Sequence, residues 1–141
     1  VGAIGFGAAC SVLERNDVHL RELRDRLENG ILDRVPDTFV NGAGSARVSN
    51  TSNIRFSGIE GEAMVIALDL KGFSVSSGAA CSSGAVEPSH VLTAIGLNKE
   101  DARSSIRFSL GTSNTQEEVD RLIEAVVQCA VRLRKLSPSY V

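Results

Sequence analysis

The sequence predicts an α+β fold with a small sheet, because helical and strand patterns alternate along one short chain. The helical pattern is clearest near the C-terminal end, where Thr115 and Glu118 stand at capping-box spacing. The apolar stripe of this last helix consists of Val119, Leu122, Ile123, Val126, Cys129 or Ala130, Leu133 and Leu136. The strand pattern is clearest at residues 53–57 and 104–110, where apolar and polar residues alternate. The chain of 141 residues has room for one such domain.

The first element is predicted to be a helix in two parts. Its apolar residues recur at near-helical spacing and are Phe6, Cys10, Leu13, Leu20, Leu23, Leu27 and Ile31. Asn16 and Asp17 separate the two parts, and we expect a cap or a kink there. Pro36 ends the unit, and Thr38–Val40 follows as a short strand.

Five further elements are predicted before the last helix. They are strands at 53–57, 73–75 and 104–110, and helices at 60–70 and from Glu87–Pro88 to Gly96. In the first of these strands Ile54 and Phe56 share one face, and Arg55 belongs to the other. In the last strand Arg107 likewise stands opposite its apolar neighbours, so it is expected to project away from the core.

Composition excludes two classes of partner. Lys and Arg total 15 against 17 Asp and Glu, which leaves a net charge of -2 and a pI near 5.7. This balance excludes a strongly basic nucleic-acid-binding protein and a polybasic membrane-binding patch. The longest uninterrupted apolar run, Ala63–Leu68, is too short to span a bilayer. We therefore expect neither nucleic acid nor a membrane as a partner.

The cysteines differ in their surroundings. Cys10 and Cys129 fall in the apolar phase of helices, where a free cysteine packs as a small hydrophobic residue. Cys81 lies in an uncharged loop between Gly78 and Gly84, where serine hydroxyls and loop amides favour a thiolate. Cys81 is therefore a candidate nucleophile, and an incidental cysteine in a flexible linker is the alternative. The wide spacing predicts neither a disulfide framework nor a metal site, and it favours a reducing compartment.

Arg107 is the second candidate functional residue. It has a serine two residues away on each side, and a guanidinium in this setting can bind a carboxylate through two parallel hydrogen bonds. An ordinary solvated strand arginine is the alternative. Arg55 has the same local pattern and is assigned that ordinary role, although the spacing alone does not separate the two arginines.

Several segments, taken together, match one family of enzymes. They are residues 76–82 (SSGAACS), 87–92 (EPSHVL) and 104–111 (SSIRFSLG), with further matches at 53–56, 58–62 and 133–138. In this order they resemble cysteine desulfurases of the NifS/IscS type, which are pyridoxal-phosphate enzymes of the class V aminotransferase group. The resemblance implies a small, mostly antiparallel sheet with helices packed on one face, as in the small C-terminal domain of a fold-type I transferase.

The resemblance also implies roles for the two candidate residues. Cys81 matches the nucleophile that takes the sulfur of L-cysteine as a persulfide, with release of L-alanine. Arg107 matches the arginine that holds the substrate carboxylate. A mobile catalytic loop is implied as well, and it comprises Ser77, Gly78, Ala79, Ala80, Ser82, Ser83 and Gly84. The sulfur then passes to an acceptor such as an iron–sulfur scaffold protein.

The cofactor implied by the resemblance is pyridoxal 5'-phosphate, held by a lysine in a large domain upstream of these motifs. Lys71, Lys99 and Lys135 are the lysines of this chain, and none stands in a matching context. No cofactor-binding or metal-binding residue is therefore expected here.

These matches predict the place of the chain within a longer protein. Residues 1–141 are expected to be the C-terminal small domain, with 1–34 as the helix that leads in from a missing large domain. The full-length enzyme is expected to be a cytoplasmic homodimer, and the isolated chain is expected to be inactive. Two alternatives stay open, namely a stand-alone persulfide carrier or docking module and a selenocysteine lyase.

Overall fold

The computed structural model describes residues 2–77 and 88–137, without the side chains at positions 2, 6, 8, 9 and 11–15. In chain order the elements are α1 (Gly2–Leu32), β1 (Thr38–Val40), β2 (Thr51–Phe56), α2 (Gly61–Asp69), α3 (His90–Ala94), α4 (Lys99–Arg103), β3 (Ser105–Ser109) and α5 (Gln116–Leu136). The strands form one antiparallel sheet in the order β1-β2-β3. The predicted α+β fold with a small antiparallel sheet is confirmed.

The helices α1, α2 and α5 pack on one face of this sheet and share its hydrophobic core. The most deeply buried core side chains are Leu23, Leu27, Ile31, Ile54, Phe56, Met64, Leu68, Ile106, Phe108, Val119 and Val126. Successive side chains of a strand project to opposite faces, so the residues between the buried ones line the other face of the sheet. We call this second surface the open face. Among the described helices, none combines the length and apolar character that a bilayer-spanning segment requires.

The capping box at the start of α5 is confirmed. The Glu118 backbone N–H donates to the Thr115 hydroxyl at 3.3 Å, and the Thr115 N–H donates to the Glu118 carboxylate at 3.1 Å. This satisfies two backbone donors that the first helical turn otherwise leaves unpaired. The two hydrogen bonds set the point at which α5 begins after β3, the strand that carries Arg107.

The helix α1 is continuous through Asn16 and Asp17, so the predicted cap there is wrong, whereas a kink stays a prediction. The Asp17 carboxylate does not turn back to cap a helix end. It accepts a hydrogen bond from Arg21 at 2.8 Å, one turn along, while a hydrogen bond with Ser49 lowers the pKa of Asp17 below its ordinary value. The predicted packing role of Cys10 is also wrong, because its side chain is exposed.

The segment between α2 and β3 differs from the prediction at three points. Residues 73–75 form no strand, and Ser76 instead makes an isolated bridge to Arg107. The short helix predicted from Glu87–Pro88 begins only at His90, and Glu87 lies outside the described residues. The helix α4 was not predicted, although Asn98 caps it by accepting the Asp101 N–H at 2.8 Å.

Candidate functional site

Four polar side chains lie side by side across the open face of the sheet. Asn53 on β2 is directly opposite Arg107 on β3. On one side of β2, just after the end of β1, the Asn41 N–H donates to the Asn53 carbonyl at 2.8 Å. On the outer side of β3, Ser76 exchanges two backbone hydrogen bonds with Arg107, at 3.1 and 2.6 Å. Residues that face each other across antiparallel strands project to the same side. We call these four residues, Asn41, Asn53, Arg107 and Ser76, the polar row.

The Arg107 side chain is exposed and is not engaged by any described residue. None of the hydrogen bonds or ion pairs among residues 2–77 and 88–137 involves its guanidinium. The described residue directly opposite it, Asn53, and its neighbours along the strand, Ser105 and Ser109, are neutral, and its diagonal neighbour Arg55 is basic. An exposed guanidinium without an acidic partner can bind a carboxylate with two parallel hydrogen bonds.

Arg55 lies on the same face but is held by other residues, although its buried Nε atom has no hydrogen-bond partner among the described residues. Its Nη1 donates to the Asp101 carboxylate at 2.6 Å, and its guanidinium carbon lies 4.4 Å from the centre of the Phe39 ring. Only 22% of the Arg55 side chain is exposed, so the interpretation of Arg55 as an ordinary solvated arginine is corrected. It is a structural residue that ties α4 to the sheet, and it leaves Arg107 as the arginine available to a ligand.

The start of the cysteine loop is attached to Arg107. Ser76 forms the backbone bridge described above, and Ser77, which is half-buried, is the last described residue before the loop. Cys81 lies outside the described residues, together with the loop positions Gly78, Ala79, Ala80, Ser82, Ser83 and Gly84.

The other cysteines are poor candidates for this chemistry. Cys129 is buried in the core between α2 and α5, as predicted, and burial raises the pKa of its thiol. A raised pKa lowers the fraction of reactive thiolate. Cys10 is exposed near the beginning of α1. Among the residues that the structure describes, no three metal-ligating side chains form a cluster.

The described residues do not fit a pyridoxal-phosphate site. Pyridoxal phosphate is held as a Schiff base by a lysine that must reach the same site as the substrate. Lys71 donates instead to Gln128 on α5, at 2.9 Å, which places it on the helical side of the sheet. Lys99 opens α4, and Lys135 lies in the last turn of α5. None of these lysines belongs to the polar row.

Two members of the polar row, Asn41 and Asn53, were not recognised from the sequence. The alternation in β2 places Asn53 on the same face as Arg55, which is a weak signal. It does not show that Asn53 stands beside Arg107, because that depends on the register between β2 and β3. Asn41 joins the row only because β1 pairs with the other side of β2.

Comparison with known proteins points to one family. Residues 1–122 match the model of the class-V aminotransferase family. A cysteine desulfurase of Enterobacter agglomerans is 45% identical over 97% of this chain and 35% of its own length. A cysteine desulfurase IscS of Shewanella baltica is 44% identical over 96% of this chain and 34% of its own length. The chain thus spans about a third of the length of these relatives.

Solved structures give the same result. A NifS-like protein of Rickettsia africae superposes with a TM-score of 0.70 at 31% identity, over 82% of this chain and 29% of that protein. A second NifS-like protein superposes with a TM-score of 0.75 at 26% identity, over 89% of this chain and 31% of that protein. Sequence and fold agree over most of the chain, and the chain belongs to the class-V aminotransferase family.

Proposed function

We propose that this chain is the C-terminal small domain, residues 1–141, of a cysteine desulfurase, with residues 1–34 leading in from a larger domain. One observation carries this proposal. The two backbone hydrogen bonds between Ser76 and Arg107 attach Ser76, which precedes the cysteine loop, to the strand that carries Arg107, whose guanidinium has no acidic partner among residues 2–77 and 88–137. In this proposal a sulfur-accepting thiol and a carboxylate-binding group act on the same substrate, which is what an amino acid that loses its sulfur requires. The similarity to two proteins named as cysteine desulfurases supports the same activity.

In this proposal Arg107 binds the carboxylate of L-cysteine and sets the direction of its side chain. The Cys81 thiolate attacks the substrate sulfur. A sulfur–sulfur bond forms, the carbon–sulfur bond of the substrate breaks, and its electron pair remains on carbon, which takes up a proton. The products are L-alanine and a persulfide on Cys81. The family depends on pyridoxal phosphate, and we assign its binding to parts of the protein outside the described residues.

The later steps of the proposal concern the loop and its partners. Gly78 and Gly84 give the backbone conformational freedom, so the loop of Ser77, Ala79, Ala80, Ser82 and Ser83 can carry the persulfide from substrate to acceptor. The acceptor is an iron–sulfur scaffold or another sulfur-accepting protein, and the intact enzyme is a homodimer. A cytoplasmic location is supported by Cys10 and Cys129, which are both free thiols.

The experiment measures two products of the intact protein supplied with L-cysteine. L-alanine is quantified, and the mass of the peptide that contains Cys81 is determined for an added sulfur atom. The Cys81→Ser variant is expected to lose both, because a serine hydroxyl does not form a persulfide. The exposed Cys10 offers a matched control, and Cys10→Ser is expected to keep both products. Alanine formation at the parent rate by Cys81→Ser would contradict the proposal.

A further inference from the structure

Asn53 ends a chain of hydrogen bonds that crosses the open face. The Ser105 hydroxyl donates to the Asp101 carbonyl at 2.7 Å. The Asn41 Nδ2 group donates to the Ser105 oxygen at 2.9 Å and to the Asn53 Oδ1 atom at 2.6 Å. The series of hydrogen bonds thus runs from α4 through β3 and the end of β1 to β2, where it reaches Asn53, the residue opposite Arg107.

The number of protons available in this series of hydrogen bonds sets the orientation of the Asn53 side chain. The Asp101 carbonyl only accepts, so the single hydroxyl proton of Ser105 must lie on that contact. Ser105 therefore accepts from Asn41, and the group of Asn41 at this contact must be its NH₂. The same NH₂ also contacts Asn53, so the atom of Asn53 that meets it must be the carbonyl oxygen. The NH₂ group of Asn53 consequently faces away from Asn41.

The NH₂ group of Asn53 donates to none of the described residues. Asn53 is half-buried rather than enclosed, so this group can reach a ligand at Arg107. Side chains directly opposite in antiparallel strands have Cβ atoms about 4.5–5.5 Å apart. The opposite end of this hydrogen-bond series is not accessible to a ligand, because Ser105 is fully buried beneath α4. The donors of Asn53 therefore face away from Asn41, on the side of the row that holds Arg107.

We propose that Asn53 is a second carboxylate-binding residue, whose NH₂ group donates to the carboxylate that Arg107 binds. This inference rests on the proposed function for the identity of the substrate. Arg107 supplies the charge, and Asn53 supplies a further donor from the neighbouring strand. Asn41 is a positioning residue, because its hydrogen bond holds the Asn53 amide in the orientation that presents donors rather than an acceptor to an anion.

The test uses the intact protein with two pairs of probes that differ only in the carboxylate. L-cysteine is compared with L-cysteine methyl ester in turnover, and L-alanine is compared with L-alaninamide in calorimetric binding. A hydrogen bond to a charged group supplies a large share of binding, so Asn53→Ala is expected to lower kcat/KM for L-cysteine about tenfold or more. The same variant should weaken L-alanine binding to a similar extent, while the ester and the amide change less than about twofold.

Asn53→Asp provides a second variant that preserves the local structure. An aspartate retains the oxygen that accepts from Asn41, yet it has no donor and repels a carboxylate, so it should weaken both acids more than Asn53→Ala does. Thr51→Val, on the same strand and face, is the matched control and should leave all four probes unchanged. Equal losses for acids and neutral analogues, or no loss for either, would overturn the proposal. If the parent protein forms no alanine, the proposed function fails, and the binding comparison still decides the role of Asn53.

Discussion

Arg55 and Arg107 stand on neighbouring strands, on the same face of the sheet, and in the same local pattern of apolar and polar residues. Arg55 is shielded, paired with Asp101 and stacked on Phe39. Arg107 is exposed, and no acidic residue pairs with its guanidinium among residues 2–77 and 88–137. The difference shows that a strand arginine becomes available for a ligand when the elements packed around it supply no acid. Here α4 covers the end of the open face that holds Arg55, and none of the described helices supplies an acid to Arg107.

The two arginines also differ in the free energy that they are expected to contribute to folding. Removal of the shielded Arg55 would leave the half-buried Asp101 without its ion-pair partner. An unpaired, partly buried carboxylate lowers the free energy of unfolding. The exposed Arg107 has no such partner among the described residues, so its loss should not disturb the fold. We therefore expect Arg55 to contribute to stability and propose that its diagonal neighbour Arg107 contributes to ligand binding.

The largest expected effect is that of Arg107→Lys on turnover. Lysine keeps the positive charge but cannot form two parallel hydrogen bonds to a carboxylate. If Arg107 binds the substrate carboxylate, kcat/KM for L-cysteine in the intact protein should fall about 100-fold, because charged hydrogen bonds of this kind contribute a few kcal/mol. The urea midpoint of unfolding should stay unchanged. Full activity of Arg107→Lys would show that Arg107 does not bind the substrate carboxylate, and Arg107 would then not differ from Arg55 in function.

The next effect is that of Arg55→Met on stability. Methionine keeps part of the apolar contact with Phe39 but removes both the ion pair and the cation–π interaction. We expect the free energy of unfolding, measured by urea denaturation, to fall by about 1–3 kcal/mol. Arg107→Met is the matched control and should change it by less than about 0.5 kcal/mol. Equal losses in the two variants would show that Arg107 has a structural partner as well.

The smallest effect concerns an ion pair that is exposed rather than shielded. Arg26 on α1 donates to the Asp120 carboxylate on α5 at 2.7 and 2.8 Å, and this lowers the pKa of Asp120 below its ordinary value of 3.8. Because the folded pKa is lowered, the stabilisation is present above pH 3.8 and is lost as the pH falls through the lower folded value.

The urea midpoints of the parent and of Asp120→Asn should therefore differ by a constant amount from neutral pH down to the ordinary pKa of aspartate and converge below it. Solvent screens this pair, so the difference should be smaller than that between the parent and Arg55→Met. A difference that persists unchanged at pH 3, or one as large as the Arg55→Met effect, would show that exposure does not distinguish these ion pairs.

Much of the fold could be predicted from local pattern. The capping box at Thr115 and Glu118 and the alternation around Ile54 and Ile106 each lie within a few residues, and the structure confirms them. The strand predicted at 73–75 failed because a short apolar run is too weak a signal without a partner strand. The packing predicted for Cys10 failed because apolar phase alone does not say whether another element covers that turn of α1.

The candidate site divides in the same way. The sequence identified Cys81 and Arg107 as candidate functional residues, from the composition of a loop and the alternation of a strand. Their roles stay proposals. It did not separate Arg107 from Arg55, because the acid that engages Arg55 lies 46 residues further along the chain. Nor did it find the hydrogen bond between Asn41 and Ser105, which joins residues 64 positions apart.

The sequence by itself determined the periodic elements, the family resemblance and the pair of residues on which the proposed chemistry depends. Only the tertiary structure decided which arginine has no acidic partner among residues 2–77 and 88–137, that Ser76 pairs with that arginine, and that Asn53 stands directly opposite it. The physical reason is the distance along the sequence between the residues that interact. Periodicity and capping are set by neighbours within a turn or two of chain, whereas strand register and ion pairing depend on which distant segments the packed core brings together.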